Sequence, residues 1–205
     1  MILVVGLGNP GPRYAETRHN VGARVLDEVA HRKGATAWRT SHRGKFQIVA
    51  LGGTRVGLLK PETFMNLSGT SVGSAMTFYK LDLPDLLVVH DELDLPFGEL
   101  RLKQGGGEAG HNGLRSITEQ LGTSDYARLR FGIGRPPEDF TGDGADFVLE
   151  AFPPGQRAEL DARIAAAADA AESFVNRGLE AAMRTVNQRS KRIQTPRSGN
   201  EPGAE

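Results

Sequence analysis

The sequence predicts an α/β fold: a single domain with a mixed, twisted β-sheet flanked by helices on both faces. Three observations carry it. Unbroken apolar runs such as Met1–Val5 and Leu86–Val89 have the pattern of strands buried on both faces. Stretches between such runs place apolar residues at helical spacing. The two patterns alternate along most of the chain, as they do in α/β proteins.

Taken in order, Met1–Val5 stops at a glycine and reads as the first strand. Residues 20–33 carry Val21, Val25, Leu26 and Val29 on one helical face, with Asn20 as N-cap and Gly34 as the C-terminal stop. Phe46–Leu51 and Arg55–Lys60 flank Gly52-Gly53-Thr54, a hairpin pattern. Ser68–Lys80 is a helix with Val72, Ala75, Met76 and Tyr79 on one face. Leu86–Val89 is a buried strand that runs out at His90-Asp91, and residues 99–103 form another that leads into Gly105-Gly106-Gly107. Asn112–Leu121 is a helix with Leu114, Ile117 and Leu121 inward, Asn112 as N-cap and Gly122 closing it. Arg128–Ile133 and Ala145–Phe152 read as two further strands. Pro153-Pro154-Gly155 opens an alanine-rich helix to about residue 175, and a second helix follows Gly178 to roughly residue 189. Residues 1–189 are thus expected to form the domain. Residues 190–205 are polar, with little to bury, and are expected to be a disordered tail.

The chain has 205 residues, enough for one substantial core. A hydrophobic fraction of 39% and a charged fraction of 24% are those of an ordinary soluble protein. Zero cysteines exclude disulfides and thiol chemistry and fit a reducing compartment. No leader pattern and no membrane-length apolar run are present, so a cytoplasmic location without a membrane partner is expected. The formal net charge is zero, so a nucleic-acid partner needs a local basic patch. Arg101, Lys103, Arg115, Arg128 and Arg130 surround the triple glycine and the following strand; Arg184, Arg189, Lys191, Arg192 and Arg197 form a second group. Charge runs usually solvate a face, but a basic group beside an α/β cleft can meet phosphates.

Three segments set an asparagine beside a glycine-rich turn: Gly6-Leu7-Gly8-Asn9-Pro10-Gly11, Phe64-Met65-Asn66-Leu67-Ser68-Gly69, and Gly105–Gly113 with Asn112. The first formally matches the dinucleotide fingerprint. Pro10-Gly11-Pro12, however, occupies the place of the phosphate-binding helix, and no strand ends in an acid about 20 residues on. His19 has a side chain that titrates near neutrality and can take a proton from water. Taken alone, it reads more simply as a cap or surface residue. Asp91 ends a strand, and Asn9 follows another. If those strands are parallel, both residues lie at the sheet edge where α/β folds bind ligands. A carboxylate there can orient an imidazole and stabilise its protonated form. Asn66 and Asn112 can be plain caps, or can donate to a carbonyl oxygen as it gains charge. A metal at His90-Asp91-Glu92 is disfavoured, because strand neighbours point to opposite faces. No serine lies in a nucleophile-elbow pattern, which favours direct attack by water.

Four motifs in order resemble those of the bacterial peptidyl-tRNA hydrolases: Gly6-Leu7-Gly8-Asn9-Pro10-Gly11 with Tyr14 and Thr17-Arg18-His19-Asn20; Lys60-Pro61 with Thr63-Phe64-Met65-Asn66; His90-Asp91-Glu92-Leu93-Asp94; and Gly105-Gly106-Gly107 with Gly110-His111-Asn112-Gly113. The resemblance covers most of residues 1–135. It implies metal-free, cofactor-free hydrolysis of the ester between a peptide and the tRNA 3′ end, freeing tRNA for translation. It implies that His19 is the base and that Asp91 keeps it basic. It implies that Asn9 tells N-blocked peptidyl ends from free aminoacyl ends. Tyr14, Phe64, Met65, Asn66 and Asn112 would line the site, and Lys103 and Arg130 would hold the tRNA 5′-phosphate. The implied partner is peptidyl-tRNA, bound by a monomer with no obligate protein partner. One departure is Ala109, at a position often glycine in the family. An RNA-binding relative that has lost catalysis is the rival reading, and the presence of His19, Asp91 and all three asparagines argues against it.

Overall fold

The computed structural model describes residues 1–35 and 37–194, with side chains described through residue 188. Among these described residues, seven strands form one sheet in the order β2-β3-β4-β1-β5-β7-β6. They are β1 (Ile2–Gly6), β2 (Arg39–Ser41), β3 (Gly44–Leu51), β4 (Thr54–Pro61), β5 (Leu86–Glu92), β6 (Leu100–Gln104) and β7 (Ala127–Gly132). The four central strands β4, β1, β5 and β7 are parallel, and the flanking pairings are antiparallel. The sheet is therefore mixed, as the sequence predicts.

The helices are α1 (Val21–Arg32), α2 (Ser68–Tyr79), α3 (Asn112–Leu121), α4 (Gly144–Val148), α5 (Arg157–Arg177) and α6 (Leu179–Gln194). Alternate residues of the central strands feed two cores. Leu3, Val5, Leu86 and Val88 pack against Val72, Ala75 and Met76 of α2 and Leu114 and Ile117 of α3. Val4, Leu87 and Val89 face Val25, Leu26 and Val29 of α1, in a core that continues into α5 and α6. Burial on both faces explains why β1 and β5 read as continuous apolar runs rather than alternating ones.

The segment at residues 145–152 is corrected. It forms α4 rather than a strand, because Asp143 caps a helix: its Oδ1 accepts from the N–H groups of Ala145 and Asp146 at 2.7 and 3.0 Å. The Asp143/Asp146 capping box outweighs the β propensity of Phe147 and Val148. Only Ala151 makes a strand-like bridge, with Thr17. Asn20 occupies the N-cap position of α1 as expected, but its side chain makes no capping bond there. The other expected cap is corrected: the N-cap of α3 is His111 rather than Asn112. β2 has no counterpart in the sequence reading, since its three residues are polar and largely exposed. Helix α6 extends to Gln194; the remainder of the expected tail, residues 195–205, lies outside the described residues.

Parallel pairing puts the ends of β1 and β5 side by side, with Val5 opposite Val88 and Gly6 opposite Val89. Helix α1 starts directly against this edge. Gly22 permits the approach, since a Cβ there would run into the Val89 carbonyl and the Leu7 backbone. Both obstacles are main chain and cannot turn aside. Gly22→Ala is expected to lower stability by about 2–3 kcal/mol, read as a shift in the urea midpoint. An unchanged midpoint would show that the helix seats itself by other means.

Candidate active site

His19 lies in a one-turn 3-10 helix, Arg18–Asn20, that leads into α1. It is buried, with 8% of its surface exposed, and Asp91 at the end of β5 is 3% exposed. The His19 Nδ1 is 2.9 Å from Asp91 Oδ1 and 3.0 Å from Oδ2. A second imidazole reaches the same carboxylate: His111 Nε2 is 3.0 Å from Asp91 Oδ1. The two rings sit 4.8 Å apart, centre to centre.

Hydrogen bonding decides the tautomers. The His111 Nδ1 accepts from the N–H groups of Gly113 and Leu114, at 3.1 and 3.4 Å, and so carries no proton. Its proton is therefore on Nε2, donated to Asp91. The Asp91 carboxylate accepts from both rings, which puts the His19 proton on Nδ1 and leaves Nε2 with a bare lone pair.

Burial pushes the His19 pKa down, but the Asp91 charge and hydrogen bond outweigh it, and the net shift is upward from 6.5. For Asp91, burial opposes ionisation, yet the charges and hydrogen bonds of His19 and His111 hold the carboxyl well below the usual carboxylate range. His90 behaves oppositely. Burial, reinforced by His111, lowers it to about 3, while its Nδ1 donates to the Asp91 carbonyl at 2.7 Å. It is a neutral neighbour. Among the described residues, His19, Asp91 and His111 are the trio close enough to share a metal ion. Their mutually facing atoms are already joined by hydrogen bonds, so an ion would have to displace those protons.

Asn9 is oriented from three sides. Its N–H donates to Asn20 Oδ1 and its carbonyl accepts from Asn20 Nδ2, both at 2.9 Å. Its own Oδ1 accepts from the Met65 N–H at 2.9 Å. That leaves the Asn9 Nδ2 as the donor offered to the cleft. Gly8 lies against the Asn20 amide, where a Cβ would crowd it at 3.0 Å.

These groups share a cleft of about 1110 Å³ lined by Asn9, Tyr14, His19, Phe64, Met65, Asn66, Asp91 and Asn112, among others. Phe64 is 59% exposed there, Met65 is buried, and Asn66 and Asn112 are exposed. Met65 packs closely on Gly113, which joins the Asn66 turn to the start of α3. Lys103 and Arg130 do not line the cleft. They lie on the adjacent strands β6 and β7, and Arg130 Nε bonds Glu92 Oε2 at 2.9 Å. Burial, then the charges of Arg130 and Arg128, lower the Lys103 pKa, so the three cations stand close together.

Two of the grouped arginines have other duties. Arg128 is 1% exposed and donates to the carbonyls of Gly106, Gly107 and Ser124 at 2.8, 2.9 and 3.2 Å; it is a strut for the glycine loop. Arg101 pairs with Glu99 at 2.7 Å. Of the second basic group, Arg184 is on α6; the side chains of Arg189, Lys191 and Arg192, and all of Arg197, lie outside the described residues. Ala109 has a φ of 49°, a left-handed conformation that costs a residue with a Cβ roughly 1–2 kcal/mol. That is why glycine suits this position.

A model of the peptidyl-tRNA hydrolase family matches residues 3–195. The chain belongs to the peptidyl-tRNA hydrolase family. It is 53% identical over 180 residues to a peptidyl-tRNA hydrolase of Frankia alni, covering 87% of this chain and 89% of the relative. It is 49% identical over 187 residues to that of Citrifermentans bemidjiense, covering 91% and 98%. A crystal structure of peptidyl-tRNA hydrolase from Acinetobacter baumannii superposes with a TM-score of 0.83 at 36% identity, over 91% of this chain and 94% of that one. The fold is thus that of a solved peptidyl-tRNA hydrolase, and the family motifs quoted above converge on this cleft.

Sequence reasoning missed what two residues that the geometry makes prominent do in the site. His111 stood unremarked inside the glycine-rich motif, and Asn20 read as a cap. A histidine placed one residue before a helix was the available signal for the first. The second had none, because the Asn9–Asn20 clamp joins segments 11 residues apart through a turn.

Proposed function

We propose that the chain hydrolyses the ester between an N-blocked peptidyl group and the 3′ end of ribosome-free tRNA, with His19 as the base and without a metal. The observation that carries this reading is the shared Asp91 carboxylate, which accepts from both imidazoles and leaves His19 Nε2 without a proton. In this reading Nε2 takes a proton from a water in the cleft while that water's oxygen attacks the ester carbonyl. The imidazolium, stabilised by Asp91, then returns the proton to the departing 3′-oxygen. The Asn9 Nδ2 donates to a peptide carbonyl that a free aminoacyl end lacks. Asn66 and Asn112 stand ready to donate to the ester oxygen as charge develops there. Tyr14, Phe64 and Met65 seat the tRNA terminus and the first peptide residues. Lys103 and Arg130, beside the cleft, hold the 5′-phosphate by salt-sensitive contacts. The protein acts as a cytoplasmic monomer that recycles tRNA.

The test compares N-acetylaminoacyl-tRNA with unblocked aminoacyl-tRNA, before and after treatment with a transition-metal chelator. Selective release from the blocked substrate, unaffected by the chelator, is expected. Equal release from both substrates removes the Asn9 assignment. Loss of activity on chelation, restored by added metal, overturns the metal-free mechanism.

A further inference from the structure

We propose that Arg18 is a positioning residue that latches the α4 wall of the cleft onto the turn carrying the base. This rests on the functional reading above and names a further residue on which that cleft depends.

Arg18 precedes His19 in the same 3-10 turn, yet its side chain points away from the catalytic cluster. It is 6% exposed despite its charge. Its guanidinium carbon sits 3.9 Å from the centre of the Phe147 ring and 5.6 Å from that of Phe152. Nη1 donates to the Phe147 carbonyl at 3.1 Å and lies 3.7 Å from Glu150 Oε2. The main chain adds to the seam: the Arg18 N–H donates to the Glu150 carbonyl at 3.0 Å, and Thr17 bridges Ala151.

Helix α4 forms a wall of the cleft through Gly144, Ala145 and Val148, continued by Leu149 just after it. Five residues of helix have little stability of their own, since nucleation costs more than one turn returns. The placement of α4 therefore depends on what holds it. Stacking on an aromatic ring while donating to a carbonyl is a combination that suits a planar guanidinium and not an ammonium. His19 is held separately, by its bonds to Asp91 and by the turn's continuation into α1, so loss of Arg18 loosens the wall more than the base. The result is a weaker grip on the peptidyl group with the proton transfer largely preserved. A raised KM with kcat retained is the kinetic sign of such a loss.

The test measures kinetics on N-blocked peptidyl-tRNA, with amide hydrogen exchange across residues 140–152, for Arg18→Ala and Arg18→Lys. The expected result is a KM raised about tenfold or more, as for loss of one buried charge-assisted contact. It includes a smaller change in kcat, an acid limb of the pH–rate profile in its original place, and faster exchange confined to residues 140–152. Lysine does not rescue. If Arg18→Ala does not fold, Arg18→Lys and Phe147→Leu are read by the same measurements. An unchanged KM with unchanged exchange overturns the proposal. So does a shifted acid limb at constant KM, which would assign Arg18 to the base. If the unmodified chain does not cleave blocked esters, the functional reading fails, and the exchange data still decide whether Arg18 holds α4.

Discussion

His19→Ala is expected to lower kcat for peptidyl-tRNA about 100- to 10,000-fold, the usual contribution of a positioned general base. The substituted chain should bind tRNA with nearly its original affinity, because Lys103 and Arg130, the proposed phosphate contacts, do not line the cleft that holds His19. The same change removes one of two donors to a buried carboxylate, so some loss of stability accompanies it. His19→Asn separates the two effects. Its amide can still donate to Asp91, yet it cannot accept a proton from water. Loss of turnover in both variants, with tRNA binding intact in each, is the predicted pattern. Turnover equal to the parent's in a folded His19→Asn variant would remove His19 from the mechanism.

Asp91→Asn should cost turnover on a comparable scale, on the order of 100- to 10,000-fold, and should move the pH dependence in a defined direction. The sign follows from the causes of the His19 shift. Burial lowers this pKa, and the Asp91 charge and hydrogen bond raise it to a net value above 6.5. With His19 as the proposed base, turnover depends on the unprotonated ring, so kcat/KM in the parent is expected to rise with pH through a midpoint above 6.5. An amide oxygen at the Oδ1 position can still accept from both imidazoles, but the charge is gone and the amide nitrogen, at the Oδ2 position, no longer accepts from His19 Nδ1. Burial then dominates, and the midpoint of the remaining activity moves to lower pH. An acid limb that stays in place, or moves upward, would show that Asp91 does not tune His19.

Much of the fold was legible because burial writes a local pattern. The runs at Met1–Val5 and Leu86–Val89 are apolar since helices cover both faces of those strands. Gly34, Gly122 and Gly178 all have positive φ and stand where the reading ended one helix or opened the next. The failures share a cause. At residues 145–152, a four-residue capping signal competed with an apolar pattern and won. β2 is exposed and polar, and it exists because β3 offers it an edge.

The site divides along the same line. Residue types and their spacing alone determined which side chains have the chemistry: a histidine, an aspartate and three asparagines beside glycine-rich turns, in the order shared by one enzyme family. Only the tertiary structure decided how they are used. It gave Asp91 a second imidazole, engaged the side chain of the N-cap residue Asn20 in a clamp on Asn9, and set Arg128 beneath the glycine loop. Each of these depends on the mutual placement of segments far apart in the chain or joined through a turn. That placement is fixed by the parallel register of β1 and β5 and by the seating of α1 and α3 on opposite faces. A proton's position on an imidazole is set by whichever partner is within about 3 Å, and no linear pattern encodes that distance.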